Sequence, residues 1–191
     1  MDQIIRDRYT PAVLAAVCDR YDIRQDAIRV LDGFESHILE CDRDGEPFIL
    51  RLSHSLRRTP ELIYGEVDWI NYLAAGGAGV ARAVPSPRGE RVEPIDDAAG
   101  GQFLATAFVK ARGASPWERG WTPKIYETYG RLIGRTHALT KDYAPPRPEW
   151  RRPAWDDPVF DYVAMYLPAG ETVALARYRE TLARVKALPR G

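Results

Sequence analysis

The sequence predicts an α+β fold in which an antiparallel sheet carries one long helix and then gives way to a helical segment. Three observations predict it. Up to residue 109, short apolar–polar alternations are separated by Gly, Asp and Pro, the pattern of strands joined by turns. One stretch in that region, Leu62 to Leu73, instead repeats its apolar residues at helical spacing. After Gly113 the alternation stops, and two helix-period stretches follow among prolines. A chain of 191 residues, 45% hydrophobic and 28% charged, is long enough for one ordinary domain or for two small lobes sharing a cleft. Its formal net charge of +0 gives no electrostatic footprint for nucleic acid or an anionic membrane. No run has the length of a membrane span, and the first residues lack the apolar core of a signal peptide. Cys18 and Cys41 are the only cysteines and have no metal-ligand spacing; a reducing cytoplasm is the expected setting, with one disulfide as the alternative.

The elements follow in order. Thr10 can cap a first helix with its hydroxyl, with Pro11 at the first helical position, and the helix runs to about residue 21. Ala27 to Leu31 and His37 to Cys41 read as strands around a tight turn at Gly33. Asp44-Gly45 is a hairpin signal leading into "GEPFILRLSH". In that strand Phe48, Leu50 and Leu52 share one face, and Ile49, Arg51 and Ser53 share the other. Thr59 as cap, Pro60, and Glu61 in the first turn open the long helix. Leu62, Ile63, Val67, Ile70 and Leu73 form its apolar stripe, and Gly76-Gly77 end it. Two further strands, Ala81 to Val84 and Gly89 to Glu93, are joined by "SPRG", and the more apolar "QFLATAFV" runs from Gln102 to Val109. Thr122-Pro123 open a helix through about Lys141, and a last helix runs from about Glu171 to Leu188.

A glycine turn, two strands, a hairpin, a strand with an arginine and a helix with a glutamate each have a use if the ligand is a nucleoside triphosphate. The turn at Gly33 lets backbone amides approach phosphate oxygens. Ile49 shares the arginine's face and can cover a purine ring, while Arg51 meets the phosphates with its planar fork. Glu66 can orient that guanidinium; Asp68, two residues on, points to the other side of the helix.

The segments "LDGFESHILECDRDGEPFILRLSH", "ELIYGEVDWINYLAAGG", "LATAFVKARG" and "YGRLIGRTHAL" resemble the kinase-like small-molecule phosphotransferases, the group of aminoglycoside phosphotransferases, choline kinases and type II homoserine kinases. They cover most of residues 27 to 140. The resemblance implies a protein-kinase-like fold. Residues 1–109 would form a nucleotide-binding lobe with a five-stranded antiparallel sheet, 110–113 a linker, and 114–191 the first helices of a second lobe. It puts Arg51 in the place of the phosphate-binding lysine and Glu66 in that of its partner. Gly33, Phe34 and Ser36 would lie in the phosphate loop, Ile49 over the base, and Thr106, Ala107, Phe108 and Val109 would form the hinge that binds adenine through its backbone. ATP and Mg2+ are the implied cofactors, and a small-molecule hydroxyl compound is the implied phosphate acceptor.

Two features depart from that pattern. Arginine replaces lysine at position 51, a wider and always charged group. The family's His-Gly-Asp-x-x-x-x-Asn segment, with its catalytic aspartate and metal ligand, is absent, since none of His37, His54 and His137 precedes Gly-Asp. No catalytic base or metal ligand is therefore expected within these residues. The chain reads as part of a longer enzyme, inactive alone. The alternatives are a non-enzymatic half-kinase that binds nucleotide or self-associates through its incomplete lobe, and an unrelated α+β domain with Arg51 on its surface. The plain readings of other residues are a packing histidine at His137, strand-end histidines at His37 and His54, and tryptophans Trp117, Trp121, Trp150 and Trp155 packing a helical lobe.

Overall fold

The computed structural model describes residues 2–154 and 167–188. Six strands build the sheet: β1 Arg29–Leu31, β2 His37–Arg43, β3 Glu46–His54, β4 Ala83–Val84, β5 Glu93–Asp96 and β6 Gln102–Val109. All pairings are antiparallel, in the order β1-β2-β3-β6, and β4 and β5 both pair with the outer side of β6. Six strands thus occupy five positions. The β2–β3 hairpin turns on Asp44 and Gly45, both with positive φ (56° and 83°), which suits the twist of the flanking strands.

The expected hairpin between the fourth and fifth strands does not form. Gly89 to Val92 is not strand; β5 starts at Glu93, and β4 and β5 lie end to end along β6. The reason is local. The Ser86 amide donates to the Glu90 carbonyl at 2.8 Å, and the Ser86 hydroxyl donates to Glu93 Oε1 at 2.5 Å, closing the loop on itself. Glu93 alternates inward with Ile95 and is buried, whereas a glutamate in an alternating run reads as outward. Pro94 needs no amide on this edge.

Two longer helices cover the sheet, one on each face, within the unit Met1–Arg151, and a third packs outside them. α1 (Gln3–Arg8), which no sequence signal announces, has only six residues and is held by tertiary contacts. α2 (Pro11–Tyr21) is capped by Thr10, whose hydroxyl accepts from the Val13 amide. Together they bury Ile5, Val13, Val17 and Tyr21 against Leu39, Leu50, Leu52 and Phe103 on one face of the sheet. The Tyr21 hydroxyl donates to the Ala105 carbonyl at 2.9 Å.

α3 (Pro60–Ala75) covers the other face, with Ile63 and Val67 buried against Val92 and Leu104. Thr59 caps it, and Gly77, at φ 78°, turns the chain away just past its end. Of the expected stripe, Ile63, Val67 and Leu73 are buried, whereas Leu62 and Ile70 are half-buried. α4 (Pro116–Arg119) precedes α5 (Pro123–Thr140), which packs on α3. Arg135 donates to the Gly76 carbonyl at 2.6 Å, and Trp69 Nε1 donates to the Thr140 hydroxyl at 3.0 Å. The unit containing this packing runs from Met1 to Arg151. In the second unit, Arg152–Gly191, the described helix is α6 (Thr172–Lys186). Among the described residues no helix is long and apolar enough to cross a membrane.

Cys18 and Cys41 are both free, so the disulfide alternative does not hold. Burial pushes the Cys41 thiol up to about 12, leaving it a small apolar core residue. His137 is exposed, not packed. Trp117 is 83% exposed, Trp121 stacks on Tyr126, and Trp155 lies outside the described residues.

His54, the last residue of β3, is more than a strand end. Its Nδ1 accepts from the Leu56 amide at 3.1 Å, so Nε2 carries the proton donated to Asp97 Oδ2 at 3.0 Å. Asp97 also takes Arg8 at 2.6 Å and the amides of Ala99 and Gly101 at 2.8 Å. Burial opposes its charge, but these donors outweigh it and hold the carboxyl well below its ordinary value. A depressed folded-state value stabilises the fold above the ordinary carboxylate pKa and ceases to do so as the pH falls. Asp97→Asn should therefore lower stability at neutral pH by about 1–3 kcal/mol, measured by urea unfolding. The gap to the unaltered protein should narrow below pH 3.8, the ordinary aspartate value.

Candidate functional site

The site lies on the α3 face of the sheet. Register puts Arg51 opposite Ile38 on β2 and Thr106 on β6, and puts Ile49 opposite Glu40 and Phe108. Cross-strand partners share a face. Ile49, Arg51, Thr106 and Phe108 therefore project to one side, toward α3.

Arg51 and Glu66 meet at two points. Nη1 donates to Oε1 at 2.8 Å and Nη2 to Oε2 at 3.1 Å, and each side chain is only about a fifth exposed. Two parallel bonds between planar groups fix orientation as well as distance. The guanidinium carbon lies 5.2 Å from the centre of the Phe108 ring. One nitrogen is left over: Arg51 Nε is buried and has no hydrogen-bond partner. An unmet buried donor on a fixed cation is a ready point for an anionic oxygen.

The glycine turn supplies less than its sequence suggests. A Cβ at Gly33 would sit 2.1 Å from the Ser36 carbonyl oxygen, so glycine is needed there because the loop folds on itself. The Ser36 hydroxyl lies 3.2 Å from that of Ser53, and Phe34 is 88% exposed. Glu35, to which the sequence pattern gives no role, anchors the loop by accepting from Arg57 at 3.1 Å and Arg58 at 3.3 Å.

The four residues expected to form the hinge lie at the end of β6. Thr106 to Val109 are strand, and the Val109 amide donates to the Arg82 carbonyl at 3.0 Å, so that amide is taken within the sheet. Only Thr106 and Phe108 share the face of Arg51. Ala107 and Val109 pair with Leu50 and Phe48 and project to the opposite side. The chain leaves the sheet at Lys110.

α3 is held from outside as well as from the sheet. Asp68 accepts from the Tyr143 hydroxyl at 3.0 Å and lies 3.6 Å from Arg91, so it takes no part in the Arg51 pair. The Trp150 ring stacks on Tyr64 at 5.7 Å, and a Cβ on Gly65 would come within 2.1 Å of the Trp150 carbonyl oxygen. Gly65 adjoins Glu66, so the approach of Trp150 sets the height of α3 over Arg51. A glycine inside a helical pattern is the signal in the sequence that points to such a contact.

No protein-family model matches the chain. It is 33% identical over 179 residues to the amicoumacin kinase of Bacillus subtilis (strain 168), an overlap of 94% of this chain and 53% of that protein. A solved amicoumacin kinase, in complex with AMP-PNP, Ca2+ and Ami, superposes with a TM-score of 0.88 at 32% identity, covering 100% of this chain and 58% of its own. By sequence and fold this chain is kin to the kinase-like small-molecule phosphotransferases. The fold alone extends to a microcompartment-associated aminopropanol kinase, with a TM-score of 0.67 at 24% identity over 90% of this chain and 55% of that one. The kinase-like chain described here spans about half the length of the relatives it matches.

Gly65→Ala should cost about 1–3 kcal/mol, because either α3 or the Trp150 backbone must move. Chemical unfolding reads this directly. Equal stability of the two proteins would show that α3 is not fixed by this contact.

Proposed function

We propose that this chain holds the nucleotide in an ATP-dependent phosphotransferase that moves the γ-phosphoryl group to a hydroxyl of a small molecule. The observation that carries the proposal is the two-point Arg51–Glu66 pair on the inner face of the sheet, with Arg51 Nε buried and unmet. In this reading Ile49 and Phe108 give the base an apolar floor. Arg51 draws the phosphate oxygens to a fixed position, and Glu66 keeps the guanidinium from turning away. The turn around Gly33, Phe34 and Ser36 lies over the phosphates. Phosphoryl transfer depends mostly on such positioning and on charge stabilisation. ATP supplies the transferred group. Mg2+ is the expected companion ion, but among the described residues no three His, Cys, Asp or Glu side chains stand together to hold a metal.

The similarity to amicoumacin kinase makes amicoumacin the first acceptor to try, within the wider class of small hydroxyl compounds. The base and metal ligands are assigned to residues other than these, so this chain by itself is expected to bind nucleotide without turning it over. Arg51→Ala should weaken ATP binding at least about tenfold by calorimetric titration, and Arg51→Lys should fall between the two. Unchanged ATP affinity in a folded Arg51→Ala protein would overturn the assignment.

A second reading, a self-associating module without catalysis, is favoured by one feature. Tyr126, Tyr129 and Ile133 form an exposed apolar row along α5, at 60%, 54% and 38% exposure. Sedimentation across a range of concentrations separates the two readings, since a monomer throughout contradicts self-association.

A further inference from the structure

On the α2 side of the sheet the packing leaves a gap. α2 stops at Tyr21, and Asp22, at φ 51°, turns the chain away. Beyond that point register puts Phe48 beside Val109 and Val84 beside Ala107, all four on the face opposite Arg51. Together with Tyr21 they line a cavity of about 240 Å³. Two arginines, Arg43 and Arg82, also line it, with one carboxylate, Glu46. Arg43 lies directly across the β2–β3 hairpin from Glu46, yet the two form no ion pair. The Arg43 guanidinium carbon lies 5.8 Å from the centre of the Phe48 ring instead. The Arg82 carbonyl accepts from the Val109 amide, which fixes its backbone, while the residue itself is exposed. Among the described residues neither guanidinium has a hydrogen-bond or ion-pair partner.

We propose that this cavity is a binding site for a small aromatic monoanion, separate from the nucleotide site. Apolar walls with a few convergent polar groups are what a small-molecule site requires. A cavity of about 150 Å³ holds a benzene ring, so this one has room for a ring and a carboxylate. The ring is held by Phe48, Val84, Ala107 and Val109, of which Val109 is 38% exposed and gains most from being covered. The carboxylate takes charge-assisted hydrogen bonds from Arg43 and Arg82, whose planar forks suit its two oxygens. Glu46 at the same cavity repels a second negative charge, which favours a monoanion over a phosphate ester. Since the site is on the far side of the sheet from Arg51, it stands or falls independently of the nucleotide reading.

The experiment is an amide NMR titration of the protein with benzoate and with benzamide, which has nearly the same shape and no charge. Shifts should concentrate at the amides of Val84, Ala107 and Val109, and benzoate should bind at least about fivefold more tightly than benzamide. Arg43→Gln and Arg82→Gln should each weaken benzoate about fivefold, and Glu46→Gln should strengthen it about twofold. Benzamide affinity should stay the same in all three variants. Shifts with no cluster at this cavity, or equal affinity for the two probes, overturn the inference, and both results come from the unaltered protein alone. Undiminished benzoate affinity in either folded arginine variant overturns it as well.

Discussion

A cation on the inner face of a sheet covered on both sides has to be paired, and the meeting of Arg51 with Glu66 is the constraint on which the other features of the site depend. Removing either partner would leave a mostly buried charge without compensation, which costs far more than an exposed ion pair contributes. The pair also ties an element of the sheet to the helix that covers it. α3 can sit at only one height and one rotation if Glu66 is to reach both Nη atoms.

The rest of the unit keeps α3 at that height. Below it, Ile63 and Val67 pack on Val92 and Leu104. Above it, the segment after α5 approaches so closely at Trp150 that position 65 has no room for a side chain. On the far face of the sheet, Arg8, His54 and Asp97 bind the N-terminal helix to the ends of β3 and β5 through a buried network. The sheet is thereby fixed from both sides, and Arg51 Nε is a donor that this packing leaves unmet.

Much of this is legible in the sequence because local signals agree with one another. Thr10-Pro11, Thr59-Pro60 and Thr122-Pro123 mark three helix starts, and each threonine caps its helix as expected. Asp44-Gly45 marks the hairpin, and its register fixes the face of Arg51. The departures come where long-range contacts decide. β5 is shifted because Glu93 points inward to Ser86, a pairing that no local pattern announces. α1 is too short to show periodicity and exists because of Ile5 and Arg8. Where β6 stops pairing depends on Arg82, whose carbonyl takes the Val109 amide and which no local pattern links to it. Within the site, Arg51 and Glu66 can be matched from the order of elements. Gly65 shows only as a glycine inside a helical pattern, without its neighbour, and Glu35 and Trp150 do not show at all, because each matters only through a residue distant in sequence.

The central claim is that the Arg51–Glu66 pair presents a guanidinium to a triphosphate. The most direct test is a crystal structure of this protein with a non-hydrolysable ATP analogue bound. The account predicts a phosphate oxygen within hydrogen-bonding distance of the Arg51 guanidinium, Glu66 still paired to it, and the base against Ile49. An analogue bound elsewhere, with Arg51 touching Glu66 alone, would contradict it.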